Sequence, residues 1–238
     1  MIQAVLFDLD DTLYPQASFL DAAWTTVANA AAPYGIAPAV LHTALTAVAS
    51  EGSDRGRIID RALSRVDADA VPVGPLLAAF RGCSPARLPL FPGAREALAR
   101  LRSQVLVGLV TDGEVRGQRA KVRALGLEDA FDAIVYSDDL GRALRKPHPA
   151  PFQRMLSLLG VPSGAAVMIG DRPDKDVAGA AAAGLRAIRV RTGEYAERPD
   201  APVPWRSVTD VVAAVALLQP RLGPRRRPPD VARWATLA

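Results

Sequence analysis

MIQAVLFDLDDTL, residues 1–13, is the stretch on which the reading of this chain turns. A short apolar run leads straight into Asp8, Asp10 and Asp11. A buried parallel strand reads this way, with its acids at the carboxyl end. Four further runs repeat the theme: Val105–Gly113, Phe131–Asp139, a run ending at Asp171, and Leu185–Arg191. Between the last four lie helical segments at Glu114–Leu125, Ala150–Leu159 and Lys175–Ala183. Each is followed by a glycine, Gly126, Gly160 or Gly184, where a helix C-terminus is expected. Strand alternating with helix predicts an α/β fold, a parallel sheet with helices on both faces.

Residues 15–90 break the alternation. They predict four helices, at Ser18–Ala32, Ala39–Ser50, Arg57–Val66 and Gly74–Arg81, with breakers at Pro33–Gly35, Pro38, Gly52 and Pro72. Ser18, three residues before Asp21, is the expected cap of the first. The expected organisation is a core of residues 1–14 and 91–218, interrupted by a helical cap domain over 15–90. Leu88–Gly93 returns the chain to the core, Ala94–Arg102 is its next helix, and Val208–Leu218 its last. A mobile basic tail is expected over 219–238.

Composition narrows the chemistry. Half of the 238 residues are hydrophobic and 23% are charged, which excludes a disordered or low-complexity chain. No apolar run is long enough for a membrane helix. One cysteine, Cys83, and two histidines, His42 and His148, exclude a disulfide framework and a Cys/His metal site. The net charge of +4 is carried entirely by residues 219–238, so no basic surface for tracking nucleic acid is expected. Met1–Leu6 has no signal-peptide character, and a cytoplasmic protein is expected. Only three of 29 basic residues are lysines, Lys121, Lys146 and Lys175, which singles each of them out.

Ligands of an open parallel sheet bind at the carboxyl ends of its strands. Here those ends carry Asp8 and Asp10, then Thr111-Asp112-Gly113, then Asp171 with Asp176 five residues on. Asp8 and Asp10 are two apart, and a tight turn after Asp8 would aim both at one point. Converging carboxylates must protonate or hold a cation. An all-oxygen set suits Mg²⁺ completed by a substrate phosphate. One aspartate can attack phosphorus, and a second can protonate the leaving oxygen and later activate water. Lys146, the Thr111 hydroxyl and the backbone N–H groups of Asp112 and Gly113 supply the positive charge and donors that phosphoryl transfer needs.

Asp8-Leu-Asp10-Asp-Thr-Leu13, Thr111-Asp-Gly113, Lys146-Pro147 and Gly170-Asp171-Arg-Pro-Asp-Lys-Asp176 resemble, in order and spacing, the four motifs of the haloacid dehalogenase-like phosphohydrolases. The resemblance runs over roughly residues 1–218 and implies a Rossmann-like core. It implies Asp8 as nucleophile and metal ligand, and Asp10 as acid/base that lends the metal its backbone carbonyl. It further implies that Thr111 binds the phosphoryl group, Lys146 screens Asp8, Asp171 ligates Mg²⁺ and Asp176 supports that site. The family's dehalogenases lack an acid two residues after the nucleophile, so Asp10 favours phosphate-ester hydrolysis. Asp112 stands where many relatives carry Asn and places a further carboxylate facing the pocket. The expected activity is Mg²⁺-dependent hydrolysis of a small phosphomonoester, such as a sugar phosphate or nucleotide, through an aspartyl-phosphate. A phosphosugar mutase and a non-catalytic binding relative are the alternatives. The expected partner is a small phosphorylated metabolite, with no nucleic acid and no membrane, and the oligomeric state stays open between monomer and homodimer.

Several residues carry competing readings. Arg55, Arg57 and Arg61 read as a solvated face or as an anchor for an anionic substrate. Tyr14, Gln16 and Phe19 suit the pocket entrance, the core or a hinge. His148 reads as a capping or surface histidine.

Overall fold

The computed structural model describes residues 1–52 and 55–225. Six parallel strands form one sheet: β1 (Ala4–Phe7), β2 (Leu106–Thr111), β3 (Ala133–Tyr136), β4 (Ala166–Gly170), β5 (Arg186–Val190) and β6 (Arg206–Val208). β1, β2 and β4 are buried along their whole length, which is why they read as unbroken apolar runs. The strand order is β3-β2-β1-β4-β5-β6. The chain therefore builds outward from β1 on one side and then crosses to the other. That reversal opens a crevice above β1 and β4, where an α/β sheet receives ligands. The sixth strand lies beyond the five that the sequence predicts, because three residues with two exposed carry no apolar pattern.

Helices α1 (Gln16–Ala31), α2 (Pro38–Ala49), α3 (Ile58–Arg65) and α4 (Val73–Gly82) follow β1. They pack around a cluster that includes Trp24, Val27, Leu41, Leu45, Ile59, Leu63 and Leu76, with the Trp24 and Phe80 rings stacked. Ser18 is not the cap of α1. Its Oγ donates back to the Pro15 carbonyl, and the buried Asp11 carboxylate accepts from the Gln16 N–H instead. The chain returns where the Phe91 N–H donates to the Leu13 carbonyl.

The sheet is covered by α5 (Ala94–Arg102), α6 (Val115–Ala124), α7 (Ala150–Leu159), α8 (Ala178–Ala182) and α9 (Val211–Leu218). Two buried clusters, one on each face, contain alternate residues of the strands: Val5 and Phe7 on one side, Ala4 and Leu6 on the other. Glu114 and Asp210 cap α6 and α9, and the His148 ring accepts from the Ala150 N–H at the start of α7. A predicted single helix from Lys175 is instead a π-helical turn at Pro173–Val177 followed by the short α8.

Residues 219–225 correct the expectation of a free tail from residue 219. Leu222 pairs with Ile2, the Ile2 N–H donates to the Arg221 carbonyl, and Arg225 meets the Asp132 carboxylate at 2.8 Å. The rest of the expected tail, 226–238, lies outside the described residues.

Candidate active site

Asp8 follows β1 directly, and Asp171 follows β4 directly. β1 and β4 are register-matched, with Phe7 opposite Ile169, so the two carboxylates emerge side by side. Asp176 joins them from the π-helical turn. Gly170 makes this approach possible, since a Cβ there would run into the Asp176 carboxylate. Asp8, Asp171 and Asp176 are all buried, and each offers an oxygen within 4.8 Å of the others. Lys146 enters from the loop before α7. Its Nζ lies 2.5 Å from Asp8 and 2.7 Å from Asp176, and it also donates to the Val110 carbonyl at 3.2 Å.

Electrostatics shows what this cluster lacks. Burial, with Asp176 and Asp10 nearby, outweighs the Lys146 ammonium and pushes the Asp8 carboxyl up to about 7. Burial and the neighbouring Asp176 and Asp8 charges hold Asp171 well above the usual carboxylate range. Lys146 is pushed upward, because Asp176 and Asp8 overcome the cost of burying it. Three crowded carboxylate oxygens, two of them on the Asp8 and Asp171 carboxyls with raised proton affinity, fit a hard divalent cation. Charge agrees. Asp8, Asp10, Asp112, Asp171 and Asp176 face Lys121, Lys146 and Lys175, which leaves two negative charges when all are ionised.

This fit yields a stability prediction. A buried carboxyl with a raised pKa binds protons more tightly folded than unfolded, so the metal-free protein loses stability as pH rises from about 4 to 7. Mg²⁺ at ~100 times its Kd should restore about 3 kcal/mol. That corresponds to a rise in Tm of roughly 5–10 °C at pH 8. The rise should shrink toward pH 5, where protons compete. A thermal melt with and without Mg²⁺ at both pH values checks it.

Asp10 has a different neighbourhood. Asp11, with φ +55°, turns the chain after it. The Asp10 carboxylate then meets Lys121 Nζ at 2.7 and 2.9 Å, Gln118 Nε2 at 3.0 Å and the Tyr14 hydroxyl. Burial raises its pKa, but the Lys121 charge and these hydrogen bonds more than offset that and hold it below the usual range. The expectation that Asp8 and Asp10 aim at one point is therefore corrected. Each carboxylate turns to its own lysine, and the Asp10 side chain stands outside the three-oxygen cluster.

Thr111 ends β2, fully buried, with its hydroxyl free of any hydrogen-bond partner. A donor without an acceptor at this point suits an incoming anionic oxygen. Gly113 has φ +133°, and a Cβ there would meet Gln118 Nε2 at 2.7 Å. Glycine thus lets Gln118 pass to Asp10 and to the Asp112 carbonyl.

Asp112 does not face the pocket as expected. Its Oδ1 accepts from Ser137 Oγ at 2.7 Å and from the Lys146 N–H at 3.2 Å, and its Oδ2 is buried 3.8 Å from Lys175 Nζ. The carboxylate tethers the Lys146 loop, and Lys175 supplies the matching charge. Asp112→Asn keeps an acceptor for both donors and removes the carboxylate charge that faces Lys175. Turnover of 4-nitrophenyl phosphate should stay within about 3-fold, while the ranking of phosphorylated metabolites should shift by roughly 2–5-fold toward those with a second anion. An unchanged ranking on a substrate panel would remove any specificity role for this pair.

Several residues escaped the sequence reading. Lys121 and Lys175 were visible only as scarce lysines. Arg189, fully buried in β5, donates to the Asp171 carbonyl at 3.2 Å and pairs with Asp200. Its only sequence signal was a charge inside an apolar strand. Tyr14 and Phe19 are buried beside Asp10 and Lys121, whereas Gln16 begins α1. Around α3, Arg57 pairs with Asp60, and Arg61 and Arg65 share Glu51.

The chain is similar to known proteins. A family model described as haloacid dehalogenase-like hydrolase matches residues 2–184. A glyceraldehyde 3-phosphate phosphatase of Methanopyrus kandleri is 35% identical over 233 residues, covering 91% of this chain and 99% of that protein. A phosphoserine phosphatase of Thermus thermophilus is 40% identical over 116 residues, which is 48% of this chain and 46% of that protein. Among solved structures, a 2-haloacid dehalogenase from Pseudomonas syringae aligns with a TM-score of 0.64 at 27% identity, over 92% of this chain and 99% of that one.

Proposed function

We propose, from the premise that the chain belongs to the haloacid dehalogenase-like hydrolases, that it is a phosphatase of small phosphate monoesters working through Asp8. The observation that carries this reading is the Asp8–Lys146–Asp176–Asp171 cluster at the β1/β4 crevice. Asp10 separates it from dehalogenation, since a halide leaves without needing a proton and an alkoxide does not.

An Asp8 oxygen attacks phosphorus, the bond from phosphorus to the leaving oxygen breaks, and Asp10, after taking the proton of an ester bound as its monoanion, passes that proton to the leaving oxygen. Asp10 then takes a proton from water as the water oxygen attacks phosphorus, which releases phosphate and frees Asp8. The ionised Asp10 described above is the form required for this second step. Thr111 donates to a phosphoryl oxygen, and Lys146 lowers the repulsion between Asp8 and the incoming anion. Asp8, Asp171 and Asp176, with the Asp10 backbone carbonyl, would hold Mg²⁺, which offsets charge on the transferring group. Helices α1–α4 act as a cap that excludes water from the site.

The substrate is proposed to be a short phosphorylated metabolite. The two relatives described above are named for phosphate esters of three-carbon compounds. No helix among the described residues is long and apolar enough to cross a membrane. The lone buried thiol, Cys83, suits the reducing cytoplasm, where we place the enzyme.

Phosphate release from a panel of phosphorylated metabolites, with Mg²⁺ and with EDTA, tests the reading. Metal-dependent release is expected, with three-carbon esters ranking high. Release that persists in EDTA, or none from any ester, would overturn it.

A further inference from the structure

We propose that Lys121, assisted by Gln118, is a positioning residue that holds the Asp10 carboxyl in place for proton transfer to the leaving oxygen. The inference rests on the phosphatase reading above. A carboxyl two residues past the strand end, on a turn and partly open to solvent, has two side-chain torsions free to wander. Proton transfer tolerates little of that, because hydrogen-bond reach and alignment must be met at the reacting oxygen.

The fold answers with three donors on one carboxylate. Lys121 meets both oxygens, at 2.7 and 2.9 Å. Gln118, one helical turn earlier on the same face of α6, meets Oδ2 at 3.0 Å. The Tyr14 hydroxyl closes on Oδ1. Lys121 is itself fixed. Its side chain is 8% exposed, and its Nζ sits 4.5 Å from the centre of the Phe19 ring on α1. The clamp thus joins α6, the turn after β1 and the first cap helix.

A stability role accounts poorly for this pair. Two charges so poorly hydrated gain little net stability, and an apolar pair of similar volume would serve the fold as well. The choice of lysine also stands out. The chain carries 26 arginines to three lysines, yet all three lysines lie on aspartates of this site. A compact ammonium between a ring and a carboxylate makes a contact that a guanidinium fork would reproduce only in part.

The test separates positioning from structure through the leaving group. Wild type, Lys121→Met, Lys121→Arg and Gln118→Met are compared with Mg²⁺ on phenyl phosphate and 4-nitrophenyl phosphate. kcat/KM is used because it reports the step that expels the phenol. Phenol is the poorer leaving group and depends on the proton. Lys121→Met should lower kcat/KM for phenyl phosphate by ~10²-fold, the lower end of a general-acid contribution, with 4-nitrophenyl phosphate changed by no more than ~3-fold. Lys121→Arg should recover part of the loss. Gln118→Met should show the same signature at ~10-fold, which keeps the test alive if Lys121→Met does not fold. Equal losses on both esters, or no loss on either, would overturn the proposal while leaving the phosphatase reading intact. Wild type inert on both esters would overturn that reading and the proposal with it.

Discussion

Asp8→Asn should abolish phosphate release, with kcat down by about 10⁴-fold or more, as removal of a covalent nucleophile does elsewhere. The substitution keeps the side chain's shape and removes the oxygen charge that attacks phosphorus. The same variant should melt higher than wild type at pH 8 without metal. Burial and its neighbours hold the Asp8 carboxyl at about 7, so ionising it at pH 8 works against folding by a few kcal/mol. The neutral amide escapes that cost. Its Tm should depend less on pH between 4 and 7, and its response to Mg²⁺ should be smaller. Loss of activity together with a stability gain marks a residue kept for chemistry. Residual activity above about 1% of wild type, or a fall in metal-free Tm at pH 8, would contradict the assignment of Asp8.

Lys146→Met should be damaging on both counts. Lys146 is the counter-charge of Asp8 and Asp176, with a side chain 3% exposed. Removing one member of a buried ion cluster leaves the rest uncompensated and costs about 3–5 kcal/mol. For a chain of this size Tm should fall by roughly 6–20 °C. The sign of its pH dependence follows from the acids. Where the Asp8 and Asp171 carboxyls are protonated the loss should be small, and it should grow as pH rises through about 7, where Asp8 ionises. Activity should fall by ~10²–10³-fold even where the variant is folded, because the Asp8 carboxylate then meets the substrate anion unscreened. Mg²⁺ should recover much of the Tm and little of the activity. Melts from pH 4 to 8, with kinetics at a temperature where the variant is folded, check both.

How far the sequence reaches is visible in particular residues. Local pattern is enough for β1, β2 and β4, because strands buried on both faces must be apolar throughout. It is enough as well for Asp8 and Asp171, each directly after its strand, and for the four helices that follow β1. β6 escapes because three residues cannot show a period, and the turn at Pro173–Val177 escapes because a π-helical turn has the same composition as an α-helix.

The chain alone therefore determined the α/β class, the acids at the strand ends and the lysine in the loop before α7. Each of these is written in residues next to one another, where hydrophobic burial and chain direction act. Only the tertiary structure decided which charge meets which. Lys121 lies 111 residues from Asp10 and Lys146 lies 138 residues from Asp8. Asp112 turns into the wall toward Ser137, and Arg189 reaches beneath Asp171. The reason is physical. Burial is a property that each residue carries with it, whereas a Coulomb or hydrogen-bond partner exists only once folding has brought two distant segments within a few ångströms.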